Sequence, residues 1–305
     1  MEFKRAHRTR LIGFVLRWYA HHGRALPWRE TRNPYSILIS ETMLQQTQVQ
    51  RVLVKYPEFL RKFPSIGSLA RAPLREVIMV WRGMGYNNRA VRLHILARTV
   101  IEDYAGALPD DHEALRALPG VGRYTAHALL SFAFGRSVPV VDVNVRRVLS
   151  RLLWKMKSVD SLQEEQTVWK AAEWLLPRGR AYDWNQALMD LGAMICTARA
   201  PGCGTCPVVS VCSSWRQMRV TGTPGTRKER SIKSIPNRAY RGMIVDVLRD
   251  TRRSISAGDV GKRIRQGFSK RHERWLLSLI AGLERDGLVV TRGAGPLITR
   301  RVRLA

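Results

Sequence analysis

The sequence has no apolar run approaching the roughly 18–20 residues that a bilayer-spanning helix requires, so no membrane span is expected in its 305 residues. The opening Met1-Glu2-Phe3-Lys4-Arg5 lacks the apolar core and cleavage site of a secretory signal. A cytoplasmic, nucleoid-associated protein is the expectation. Acidic residues are scarce: 24 Asp and Glu stand against 52 Lys and Arg, for a formal net charge of +28. Such an excess concerns partners rather than fold, and it favours nucleic acid over a membrane surface. Apolar–polar alternation at strand spacing is nearly absent before residue 238, which makes the body all-α. Hydrophobic residues reach 45%, enough for real cores, and the length allows two or three domains.

Cysteine is missing from the first 195 residues. The four present, Cys196, Cys203, Cys206 and Cys212, follow the spacing C-x6-C-x2-C-x5-C. A disulfide framework would spread over the fold of a secreted chain, so clustering in an intracellular protein points to a metal centre. Four thiolates suit either Zn²⁺ or a [4Fe–4S] cluster. A single C-x2-C unit with longer flanking arms leans toward the larger cubane.

Between the basic first helix (5–22) and the cysteines, the pattern predicts helices near 37–49, 52–62, 67–71, 74–82, 87–104, 111–118, 123–134, 144–154, 161–175 and 184–195. Within the 37–49 run, Glu41 sits among apolar neighbours. Desolvation would raise its pKa and leave it able to donate a proton; a solvated polar stripe is the competing explanation. Leu118-Pro119-Gly120-Val121-Gly122 is a tight turn between two helices. Pro119 stops the first helix, while Gly120 and Gly122 permit unusual backbone angles and leave amides uncovered. The next helix therefore begins with free N–H groups suited to a phosphate, although a plain helix corner would look the same. About twenty residues on, Asp142 opens another helix.

The stretch 213–237 is polar and basic, a linker in composition. Beyond it, three helical patterns (240–248, 254–265 and 273–286) are followed by Leu288-Val289-Val290, a Gly293–Pro296 turn and Leu297-Ile298-Thr299. This is the pattern of a winged-helix-like module. From residue 225 onward 20 Lys/Arg face 7 Asp/Glu, a density that binds phosphates without sequence preference.

The turn, the downstream Asp and the cysteine loop occur in one order, and the combination resembles the endonuclease III-like, helix-hairpin-helix–Gly/Pro–Asp superfamily of base-excision DNA glycosylases. Leu26-Pro27-Trp28-Arg29, Ser40–Thr47 and Pro119–Thr125 are similar to the MutY-type adenine DNA glycosylases. The resemblance covers roughly residues 10–215. It implies an all-α helix-hairpin-helix glycosylase core over 1–212, with a six-helix barrel at about 31–138 and an iron–sulfur part formed by the N-terminal helix and about 139–212. A linker (213–237) and the winged-helix-like domain (238–305) follow. It also implies a structural [4Fe–4S] cluster on the four cysteines.

In this family the target nucleotide is flipped out of the duplex before its glycosidic bond is broken. The resemblance makes Glu41 the general acid at adenine N7 and Asp142 the carboxylate that steadies the oxocarbenium-like sugar. One carboxyl is kept protonated and the other ionised. Asn144 would orient that site. Tyr124 stands where bifunctional relatives carry a Schiff-base lysine, which implies hydrolysis without strand cleavage. Gln45, Gln46 and Tyr86 would enter the duplex, and Arg123 and Arg199 would contact phosphates. A monomeric enzyme acting on double-stranded DNA with a mismatched or damaged pair, adenine opposite G or 8-oxoguanine, is therefore expected. Its rivals are a T:G/U:G mismatch glycosylase and a non-catalytic DNA-binding protein. Three departures stand out: Val143 replaces the family's usual Gly, Asn87 replaces an aromatic, and the tail does not resemble a Nudix-like reader of 8-oxoguanine.

Overall fold

Apolar residues recurring every three or four positions close most of the chain into helices. The computed structural model describes residues 5–154, 162–220, 235–251 and 253–305. In order these form α1 (Arg5–His22), α2 (Pro34–Leu44), α3 (Val49–Lys62), α4 (Ile66–Arg71), α5 (Leu74–Val80), α6 (Asn88–Asp103), α7 (His112–Ala117) and α8 (Arg123–Phe132). Then come α9 (Val143–Trp154), α10 (Leu162–Leu175), α11 (Ala181–Asp190) with a wider π turn at Leu191–Ile195, and α12 (Trp215–Val220). None of the described helices is long and apolar enough to cross a membrane.

The chain divides into two compact units whose segments interleave. The first takes Met1–Leu38, Asp110–Arg116 and Val121–Lys228; the second takes Ile39–Pro109, Ala117–Gly120 and Glu229–Ala305. The C-terminal module is thus grouped with the helices of 39–109. Residues 221–234 of the expected linker lie outside the described residues.

In the first unit, Leu11 and Val15 of α1 meet Val145, Val148, Leu149 and Leu152 of α9 and Trp184 and Leu188 of α11. The α9 positions repeat at i, i+3, i+4 and i+7, the stripe a core-facing helix requires. Asp190 closes α11 with no exposed side chain, and receives Arg24 and Arg29, each at 2.7 Å. Arg29 belongs to the Leu26–Arg29 motif, so that motif anchors the first unit from within.

In the second unit, Val52, Tyr56, Phe59 and Phe63 line the buried face of α3, and the Phe59 ring meets Trp81 edge-on at 5.8 Å. The C-terminal module consists of α13 (Asn237–Arg249), β1 (Ile255–Ser256), α14 (Ala257–Ile264), α15 (Glu273–Arg285), β2 (Val289–Arg292) and β3 (Arg301–Leu304). Its antiparallel sheet has the order β1-β3-β2, with Val289 opposite Leu304 and Ile255 opposite Val302. Its core, Ile244, Val245, Leu248, Leu276, Ile280, Leu283 and Val302, also takes in Ile78 of α5 and Val91 of α6.

Two expectations about elements are corrected. The helix expected to run 37–49 ends at Leu44, and a new one starts at Val49, because Gln46 adopts a left-handed φ of 56°. In the tail, residues 254–265 contribute a short strand before their helix, and the second wing strand is Arg301–Leu304. Leu297–Thr299 is a 3-10 turn. Val302 and Leu304 are buried while Arg301 and Arg303 point outward, an alternation that suits a strand with one covered face.

Candidate active site

Asp142 stands at the N-terminus of α9. Its Oδ1 accepts from the Val145 amide at 2.7 Å and its Oδ2 from the Asn144 carboxamide at 2.8 Å. The first contact is a helix cap; the second fixes the rotamer. Burial pushes the Asp142 carboxyl above the usual carboxylate range, while those donors and the charge of Arg147 pull it back. The approach to Asp142 is equally fixed. Buried Asn185 donates to Ser131 Oγ (3.0 Å) and to the Val138 carbonyl (2.9 Å), and its Oδ1 accepts from the Val140 amide at 3.1 Å. The His127 ring bonds the Pro139 carbonyl at 2.7 Å.

Val143, the departure next to Asp142, is 71% exposed. It forms the first residue of α9 and is not among the positive-φ residues, so its β-branch creates no backbone conflict. Asn144 Oδ1 accepts from Arg147 at 2.8 Å, and the same guanidinium donates to the carbonyls of Gly192 (2.7 Å) and Cys196 (2.8 Å). Gly192 is required here: a Cβ on it would lie 2.7 Å from Asn144 Cβ. Arg147, Asn185 and Gly192 have no motif around them, and the sequence pattern passes over all three.

The four cysteines are half-buried and unpaired. They line a concavity, partly open to solvent, together with Val148, Leu152, Ile195 and Val208. Arg151 donates to Cys196 Sγ at 3.5 Å and to the Thr197 carbonyl at 2.7 Å. Burial lifts the thiols of Cys203, Cys206 and Cys212, Cys206 to about 11, and the neighbouring thiols add to the rise. Among the described residues, no three His, Cys, Asp or Glu side chains are arranged to hold a single metal ion. Arg199, in the loop between the first two cysteines, is exposed.

In the turn before α8, Gly120 has φ 84° and its α-carbon faces Arg92, 3.3 Å from where a Cβ would reach. Gly122 is the N-cap, exposed and without a side-chain cap, with open space where a side chain would stand. Pro119 is half-buried. Arg123 lies over the Trp169 ring at 3.8 Å, which fixes its position on the surface. Tyr124 is half-buried on the first turn of α8.

In the second unit Glu41 is 5% exposed, between Ser40 and Met43, which are fully or almost fully buried. A solvated stripe does not describe it. Gln45 and Gln46 occupy the turn between α2 and α3, Gln46 exposed. Tyr86 is 49% exposed with φ 42°, so it is not a core tyrosine. One buried side chain joins these two turns. Arg89 Nη1 donates to the carbonyls of Thr42 (2.8 Å), Met43 (3.0 Å) and Gln45 (2.6 Å), and Nη2 to Thr47 Oγ1 (3.0 Å), Met84 O (2.9 Å) and Gly85 O (3.1 Å). Burial lowers its pKa to about 10, so it stays charged at neutral pH.

Comparison with known proteins follows the same lines. A family model described as "HhH-GPD superfamily base excision DNA repair protein" matches residues 39–173. The adenine DNA glycosylase of Mycobacterium tuberculosis is 40% identical over 236 residues, 77% of each chain. Among solved structures, a thermostable thymine-DNA glycosylase is 35% identical with a TM-score of 0.65, over 69% of this chain and 97% of that one. An endonuclease III in a non-covalent DNA complex is 26% identical with a TM-score of 0.62, over 72% and 99%.

Proposed function

The chain belongs to the HhH-GPD superfamily of base-excision DNA repair proteins, and we propose that it is an adenine DNA glycosylase acting on adenine mispaired with G or 8-oxoguanine in duplex DNA, as a monomer. The burial of Glu41 carries this reading. Adenine offers N7 to an acid, and a carboxyl removed from water is the one that can hold a proton to give. Thymine has no such nitrogen.

In this mechanism Glu41 protonates N7, and the electrons of the C1′–N9 bond leave with the neutral adenine. Asp142 steadies the positive sugar by its charge or by a transient bond, and water adds at C1′ to leave an abasic site. Asn144 holds the Asp142 carboxylate. Tyr124 carries no amine, so no Schiff base forms and the strand stays intact. Pro119, Gly120 and Gly122 shape the turn whose open amides, with Arg123 and Arg199, grip phosphates. Gln45, Gln46 and Tyr86 fill the space beside the extruded nucleotide.

Cys196, Cys203, Cys206 and Cys212 are the proposed ligands of a [4Fe–4S] cluster. The donor set supports it: four thiols line one concavity, and iron bound there would take them as thiolates. Bound there, a cluster would order the 197–202 loop, and none of the steps above passes through it.

Labelled duplexes containing A:8-oxoG, A:G, T:G or U:G, treated with alkali after incubation, test the proposal. Release of adenine is expected, with Glu41→Gln and Asp142→Asn each slowing it by orders of magnitude while duplex binding persists. Release of only thymine or uracil sinks the adenine assignment. The likeness to the thymine-DNA glycosylase makes those two arms necessary.

A further inference from the structure

The C-terminal module packs on α5 and α6, the helices that flank the Tyr86 turn, and the seam is specific. At the end of α13, Arg249 is buried, with 2% of its side chain exposed. Its Nε and Nη2 donate to the Ile78 carbonyl at 3.1 and 2.8 Å, and Nη2 also donates to Asn87 Oδ1 at 3.1 Å. Asp246 holds the remaining nitrogen at 2.7 Å. Around this centre Arg82 meets both oxygens of Asp250 at 2.8 Å, and Arg75 donates to the Thr251 carbonyl at 3.2 Å.

Ile78 lies near the end of α5, and Asn87 immediately follows Tyr86. Arg249 therefore grips both ends of the turn that presents Tyr86, while Arg89 holds its middle through the carbonyls of Met84 and Gly85. The turn has strain to offset, since Tyr86 is a non-glycine residue at φ 42°, and such a residue persists only when its surroundings over-determine it. Asn87, the departure from the family's aromatic, supplies the acceptor that Arg249 uses.

We propose that the C-terminal module is a brace for the Tyr86 turn, with Arg249 as its positioning residue and Asn87 as the receiving group. The effect on base excision rests on the reading of Tyr86 as a duplex-inserting residue; the effect on the turn does not. The module thus acts on the reaction through the shape of the reading surface, in addition to any phosphate its basic face attracts.

The test uses the full chain carrying Arg249→Ala, Asn87→Ala or Tyr86→Ala, and each of the first two combined with Tyr86→Ala. Hydrogen exchange at residues 82–88 without DNA is the direct readout: it should rise in Arg249→Ala and Asn87→Ala, and unchanged exchange overturns the brace whatever the rates show. Single-turnover adenine release should fall about tenfold in Arg249→Ala, with binding to undamaged duplex held within about twofold, and the fall should vanish in the Tyr86→Ala background. An equal fall in both backgrounds overturns the proposal. Asn87→Ala deletes one acceptor and keeps the test open should Arg249→Ala unfold. If Tyr86→Ala alone releases adenine at the wild-type rate, the duplex-inserting role of Tyr86 fails, and the exchange result still decides the brace.

Discussion

Asp142 does two jobs with one side chain. Its Oδ1 caps α9, and in the proposed mechanism its charge steadies the sugar; Asn144 and Arg147 stabilise that charge in a half-buried place. The proposed mechanism requires the ionised form, so the rate should fall as pH drops through the folded-state pKa. Burial raises that pKa from its ordinary value, so the acid limb of the excision profile should lie higher than an exposed aspartate would put it. Asn144→Ala removes a donor that stabilises the anion. The pKa then rises further, and loss of rate on acidification begins at a higher pH. A single-turnover pH profile checks this, and a limb that stays in place leaves Asn144 as packing only. Asp142 and the four cysteines stand out in the sequence because residue type and spacing alone single them out. Asn185, Arg147 and Gly192 were not, because what they do depends on partners 45 to 54 residues away, and no local pattern encodes such a partner.

Among elements, the turn between α2 and α3 was the least legible. Gln45-Gln46-Thr47-Gln48 contains neither glycine nor proline, and its residues tolerate a helix, so a continuous run is what propensity predicts. The break is imposed from outside by Arg89, which takes three carbonyls from the end of α2 and the turn, and two more from the Tyr86 turn. Five donors in a rigid fork can serve two turns at once; a lysine has three on a single nitrogen. Arg89→Ala should therefore lower unfolding stability by about 3 kcal/mol, because buried carbonyls lose charged donors. Arg89→Lys should recover part of that stability yet still excise adenine more slowly than wild type, because both turns are no longer fixed together. Urea melts and single-turnover rates measure the two effects. Wild-type rates in both variants would remove Arg89 from any role in holding the turns. The wing strand shows the opposite error: Leu297-Ile298-Thr299 has strand propensity, yet Arg301–Leu304, with its two arginines, has the alternation that one covered face demands.

At the scale of the whole chain, the excess of 52 basic over 24 acidic residues is the feature that composition alone declares, and it predicts how the protein holds DNA before any base is read. Each phosphate neutralised releases condensed counterions, so the logarithm of the binding constant falls linearly with the logarithm of salt concentration, by about 0.9 per neutralised phosphate on duplex DNA. A footprint of about six to ten phosphates would weaken binding to undamaged duplex by about a thousand- to a hundred-thousand-fold between roughly 50 and 200 mM salt. The brace at Arg249 and the charge of the wing are separable within the C-terminal module, because Arg292 and Arg303 are exposed on β2 and β3 whereas Arg249 is buried. Changing Arg292 and Arg303 to Gln should flatten the salt slope by about 0.9 for each phosphate that is no longer neutralised, while the single-turnover rate at saturating enzyme stays at the wild-type value. Fluorescence anisotropy across a salt series measures the slope. A slope unchanged by both substitutions places the wing away from the duplex and leaves the module with the brace alone; a reduced excision rate at saturation would mean that the wing also acts on the chemistry.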